Sequence, residues 1–177
     1  LQHSCENHQV RRYISYNMAS STKIDLENRL RDHGYREFRP QIAGFSEAEE
    51  NICFACALPR KNIEGLHMKF YCHPDHDWIV SPFVINQKYC GYPIYAHGGI
   101  LTTLIDEVMS HVINYQKECY AVTAEITMQF LKPVYIEHPI LVVGKFLREE
   151  DTSSRTIFYV SGEIHSGFDL SFSKPPL

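Results

Sequence analysis

The sequence predicts an α+β domain in which antiparallel strands surround one long helix. One strongly apolar helical segment, 100–113, stands alone in the middle of the chain, and short strand-like runs lie on both sides of it. The links between those runs are short, whereas a parallel sheet would need a helix at each crossover.

Residues 1–50 are polar and charged, with one plausible helix. Thr22 is a good N-cap with Asp25 three residues on, Ile24, Leu26 and Leu30 form an apolar stripe, and Gly34 is placed to end it. Residues 1–49 are therefore expected to form an N-terminal extension whose helix packs outside a main domain spanning 50–177. Leu66, Met68, Phe70 and Cys72 then alternate with His67, Lys69 and Tyr71, the period of a strand with one buried face. Trp78–Val84 is a second apolar run, in which Pro82 suggests an edge or a bulge.

In the central helix, apolar residues fall at 100, 101, 104, 105, 108, 109, 112 and 113, a face covering more than half the circumference. Asp106 falls at one margin of that face and Glu107 at the other. A carboxylate at a desolvated boundary is costly unless paired, and such a site can make it a reactive base. The helix opens with His97-Gly98-Gly99. Free N–H groups and a partial positive charge at a helix N-terminus favour a developing oxyanion, and glycines leave those groups open to another molecule. A glycine pair before a helix is often only a turn, and a boundary acid is more often solvated than catalytic, so the rest of the chain must carry part of the weight.

Beyond the helix, Val122, Ala124, Ile126, Met128 and Phe130 alternate with Thr123, Glu125, Thr127 and Gln129, which predicts a half-buried strand ended by Lys132-Pro133. Runs at Ile140–Leu147 and Thr156–Ile164 flank a solvated turn at 149–154, and a short last run covers Phe168–Phe172.

With 17 Lys and Arg against 21 Asp and Glu, the net charge of −4 argues against nucleic acid as the main partner. The longest apolar segment is shorter than a bilayer span and is interrupted by Asp106, Glu107 and His111. The N-terminus lacks the apolar core of a secretory signal, so the expected location is the cytoplasm; the chain does not begin with Met, which leaves a removed targeting segment open. The six cysteines are expected to be free thiols, since a chain this long needs no disulfides to fold. Cys53 and Cys56 form a C-x-x-C with Cys72, His73, His76 and Cys90 downstream, but no second closely spaced pair completes a zinc site, so no metal is expected.

Three local patterns occur in an order that resembles the hotdog-fold acyl-CoA thioesterases, in particular the phenylacetate-degradation-type branch. Cys53-Phe54-Ala55-Cys56 followed by Asn62-x-x-Gly65-Leu66 is similar to that family's C-F-x-C-G and N-P-x-G-L entrance to its first strand. His97-Gly98-Gly99 with Asp106-Glu107 is similar to its H-G-G-x6-D-E helix, and Thr123-Ala124-Glu125-Ile126 through Phe130 and Pro133 to its T-A-x-L-x-x-x-F-x-x-P strand. The resemblance covers about residues 50–165; Ala57, Ile63 and Ser110 depart from the family's usual Gly, Pro and Gly.

The resemblance implies a hotdog fold, a curved antiparallel sheet wrapped around the central helix, and hydrolysis of an acyl-CoA thioester without metal or redox cofactor. Backbone N–H at Gly98 or Gly99 would polarise the carbonyl, Asp106 would activate water or attack directly, and Thr123 would orient the water or the carboxylate. The family spacing favours Asp106 over Glu107 as the base, and His97 is assigned to positioning the turn. Family sites lie between two subunits, with the strand of one chain facing the helix of the other, which implies a homodimer or a tetramer. Lys88 and Lys132 flank the patterns and are the candidates for contact with CoA phosphates. The competing readings are a non-catalytic acyl-CoA-binding regulatory protein on the same fold, a hotdog hydratase, and a zinc-ribbon module built on Cys53 and Cys56.

Overall fold

The computed structural model describes residues 23–39 and 51–167. The expected N-cap Thr22 and the run Phe168–Phe172 lie outside them, as does the side chain of Ile24. Helix α1, Lys23–Asp32, is followed by β1, Arg36–Phe38; β2, Phe70–Cys72; and β3, Trp78–Val84. A 3-10 turn at Gln87–Tyr89 leads into β4, Cys90–Tyr92, and β5, Tyr95–Ala96; then come α2, Gly98–Lys117, β6, Pro139–Asp151, and β7, Thr156–Ser166.

The main sheet has the order β1-β2-β3-β6-β7 and every pairing is antiparallel. One helix lies on each face. α2 buries Leu104, Val108 and Val112 against Phe70, Ile79, Phe83, Ile140 and Val142. On the opposite face, Leu26 and Leu30 of α1 pack with Tyr71, Val80, Leu141 and Val143. Successive side chains of β3 and β6 thus enter different cores, which explains why these strands read as continuous apolar runs. Residues 36–38, which the sequence boundary leaves in the extension, form the edge strand beside β2.

The central helix approaches the sheet closely because two glycines face it. Gly144 and Gly162 are paired across β6 and β7. A Cβ at Gly144 would lie 2.7 Å from Val112 Cγ2 and 3.0 Å from the Val108 carbonyl oxygen; one at Gly162 would lie 2.6 Å from Ile105 Cγ2. A register shift between Phe146 and Arg148 places a bulge at Leu147, a device that bends a strand pair.

Four expectations need correction. The alternation from Leu66 to Cys72 yields a ladder only at Phe70–Cys72, because His67 takes φ 53° and the amides of Leu66 and Met68 instead reach the carbonyls of Phe54 and Ala55. Tyr71, expected on a polar face, is fully buried under α1. Pro82 sits in an interior strand, but β2 pairs β3 only at Ile79 and Val80, so at Pro82 the ladder runs to β6 alone. The expected strand Val122–Phe130 joins no ladder among the described residues. Its segment runs beside α2 with Val122 93% exposed and Leu131 83% exposed.

Candidate functional site

His97 is the N-cap of α2, in extended backbone at φ −69° and ψ 132°. Its Nδ1 accepts from the Gly99 N–H at 3.0 Å, and its carbonyl oxygen accepts from Ile100 at 3.0 Å and Leu101 at 3.2 Å. Its own N–H donates to the Tyr89 carbonyl at 2.9 Å, which holds the turn against the preceding hairpin. Of the four N–H groups that open α2, three are thereby satisfied. Among the described residues the Gly98 N–H has no acceptor, so it is the one donor of the glycine pair left for another molecule. A Cβ at Gly99 would come within 3.1 Å of His97 Nδ1, whereas one at Gly98 would meet only the Phe130 ring, at 3.4 Å.

Two turns along the helix, the two acids meet different surroundings. Asp106 Oδ1 accepts a 2.6 Å hydrogen bond from the Thr123 hydroxyl of the same chain. That bond brings two of the residues singled out by sequence into contact at the exposed side of the helix. Glu107 turns the other way, into the loop of Cys53 and Cys56: its oxygens lie 3.7 and 3.9 Å from Cys53 Sγ. Four residues on, the His111 ring donates from Nδ1 to the Glu107 carbonyl oxygen at 2.9 Å and stacks on Phe70 at 3.6 Å between centroids. Burial raises the Glu107 carboxyl above its usual range and holds the His111 imidazole below its own.

The sequence considered Cys72, His73, His76 and Cys90 as further companions of Cys53 and Cys56, but the third group within ligand distance is Glu107. The Cys53 thiol is pulled down to about 5, first by a hydrogen bond from Cys56 and then by the backbone N–H groups of Cys56 and Ala55, against the effect of burial. Cys56 is raised because it donates to Cys53, because it is buried and because Glu107 is near. Sequence reasoning missed this contact, since no local period links a turn at 53 to a helix at 107. Of the two basic residues proposed for CoA, Lys88 lies over the Tyr89 ring at 4.9 Å, and Lys132 is exposed. Among the described residues no helix is long and apolar enough to cross a membrane.

Residues 95–167, from β5 through α2 to the end of the β6–β7 hairpin, match the family profile of the thioesterase superfamily. Over those residues the chain is similar to the thioesterase superfamily, and its fold is the hotdog that the three sequence patterns imply. A crystal structure of a thioesterase superfamily protein superposes with a TM-score of 0.53 and 15% identity, over 90% of this chain and 78% of that one, a likeness of fold alone. An uncharacterized mitochondrial membrane protein of Saccharomyces cerevisiae, FMP10, is 32% identical over 79 residues, 42% of this chain. The match spans only 32% of the yeast protein's length. An uncharacterized protein of Schizosaccharomyces pombe is 25% identical over 133 residues, 74% of this chain and 71% of its own.

Proposed function

We propose that the protein hydrolyses an acyl-CoA thioester to the free acid and CoA. The observation that carries this reading is the hydroxyl-bound carboxylate of Asp106 on the same helix whose first N–H, at Gly98, is open. The Gly98 N–H, backed by the helix dipole, stabilises the carbonyl oxygen as it gains charge. Asp106, held in one orientation by Thr123, takes a proton from a water that attacks the carbonyl carbon. Collapse of the tetrahedral intermediate breaks the C–S bond, and the proton passes to the departing thiolate of CoA. His97 acts by closing the turn that presents Gly98. Glu107 is a poorer candidate for the base, since its carboxylate is engaged by the cysteine loop on the other side of the helix.

The working unit is a homodimer. Eight residues separate Gly98 from Asp106, about 12 Å along the helix axis and about 80° around it. One thioester carbon needs both groups within roughly 3 Å of its reacting atoms. A single chain does not supply that, whereas a second copy can bring its Gly98 to the Asp106–Thr123 pair of the first. The segment with exposed Val122, Phe130 and Leu131, which joins no ladder among the described residues, is the surface proposed for that copy. We keep the cytoplasm as the proposed location; imaging of a tagged protein would decide between it and the mitochondrial membrane named for the Saccharomyces relative.

The test is release of free CoA thiol from a panel of acyl-CoA substrates, short to long chain and aryl-acetyl. Enzyme-dependent release from at least one is expected. Tight binding of an acyl-CoA with no release from any would replace this reading by the non-catalytic regulatory one.

A further inference from the structure

The cysteine loop and Glu107 are unused by the proposed hydrolysis, yet they are built with care. Asn51 Oδ1 accepts from the Cys53 N–H at 2.8 Å, and the Ala57 N–H closes the turn on the Cys53 carbonyl at 3.1 Å. Both sulfurs receive N–H donors: Ala55 N–H reaches Cys53 Sγ at 3.3 Å, and Asn51 Nδ2 reaches Cys56 Sγ at 3.3 Å. Donors aimed at sulfur favour thiolates, and α2 brings a carboxylate to the same point. Cys53 Sγ, Cys56 Sγ and a Glu107 oxygen all lie within 4.8 Å of one another. Three groups that would each carry a negative charge when deprotonated repel one another unless protons or a cation intervene.

We propose that Cys53, Cys56 and Glu107 form a three-ligand site for a divalent, thiophilic cation of the zinc type. A tetrahedral zinc ion with Zn–S near 2.3 Å and Zn–O near 2.0 Å sets sulfur and oxygen about 3.5 Å apart. The observed Cys53 Sγ to Glu107 separation of 3.7 Å is close to that edge. Two sulfurs select against magnesium and calcium, and the carboxylate separates the site from an all-sulfur copper(I) centre. His111 stands behind the ligand, with Nδ1 3.7 Å from Glu107 Oε1 and bonded to the Glu107 carbonyl, the place of an orienting outer partner. Three protein ligands leave a fourth position to water or an added ligand. Such an ion would pin the 51–57 loop to the flank of the central helix and stabilise the folded chain by mass action. The site is independent of the proposed hydrolysis, and its test reads no activity.

Reduced full-length protein is titrated with Co2+ under argon, followed by Zn2+. The expected result is one equivalent of Co2+ bound with a thiolate-to-cobalt charge-transfer band and the intense visible absorption of four-coordinate cobalt, both removed by Zn2+. Cys53→Ser combined with Cys56→Ser should abolish the charge-transfer band. Glu107→Gln should keep the band and weaken binding at least about 10-fold. If the double variant does not fold, the titrations of wild type and Glu107→Gln still decide. Absence of the charge-transfer band in reduced wild-type protein would overturn the site, as would equal affinity in Glu107→Gln.

Discussion

Asp106 and Glu107 are neighbours in the chain, yet one residue of helix turns a side chain through about 100° and sends them to unrelated partners. Asp106 faces the Thr123 hydroxyl at 2.6 Å, and Glu107 faces the Cys53 thiol at 3.7 Å. Asp106→Asn is therefore expected to lower turnover by roughly 10²- to 10⁴-fold, the contribution of a positioned general base, with an unchanged circular dichroism spectrum. Thr123→Val should cost less, because it removes the orienting bond and leaves the base. Glu107→Gln should cost less than Asp106→Asn; the reverse ranking would move the base to the other margin of the helix. The helical wheel was enough to set the two acids at opposite margins. It carries no information about which margin stays open, since that depends on what residues 53 and 123 do after the chain has folded back.

At the scale of elements, α2 packs closely on the β6–β7 hairpin, an approach made possible by Gly144 and Gly162. The neighbour of a Cβ at Gly144 includes the Val108 carbonyl, backbone that cannot rotate aside. Gly144→Ala is expected to destabilise the fold by about 1–3 kcal/mol, read as a lower urea midpoint with an unchanged slope. On the other face, α1 is tied to β2 through Glu27, which accepts from Lys69 at 2.9 Å and from Arg31 at 3.4 Å. Burial alone would raise the Glu27 carboxyl, but hydrogen bonds from Lys69 and Tyr71 and the charges of Lys69 and Lys23 outweigh it and hold it below the usual range. A carboxyl depressed on folding contributes stability above its unfolded pKa, and that contribution is lost as pH falls through the folded value. Glu27→Gln should thus be less stable than wild type at neutral pH, and the gap in urea midpoint should close below about pH 4; a gap constant with pH would mean that Glu27 acts by packing alone. Element existence was legible where periodicity was strong, as at Trp78–Val84 and α2. It failed where tertiary partners decide the outcome: α1 buries Tyr71 on the face that alternation marks as polar, and the Val122–Phe130 alternation falls on a segment that joins no ladder among the described residues.

For the whole molecule, the distance between donor and base becomes a statement about assembly. If each site combines Gly98 of one chain with Asp106 and Thr123 of its partner, lesions at the donor and at the base should complement between subunits. Gly98→Pro is a suitable donor lesion. It deletes only an N–H without an acceptor among the described residues, proline is well tolerated at the first helical position, and His97 before it already has the extended backbone that proline requires. Each variant alone should be nearly inactive, the donor loss costing about 10²- to 10³-fold. After subunit exchange in an equal mixture of Gly98→Pro and Asp106→Asn, half the dimers are mixed and each holds one intact site, so activity should recover to about a quarter of wild type. Asp106→Asn mixed with Thr123→Val should not rise above the mean of the two variants measured alone, because the hydrogen bond joins those residues within one chain and every site of the mixed dimer keeps a lesion. That control separates this pairing from one in which the Thr123 strand serves the partner's Asp106. Sedimentation showing only monomer, or no recovery in the first mixture after exchange is verified by mass, would leave the donor and the base on separate sites and end the shared-site mechanism.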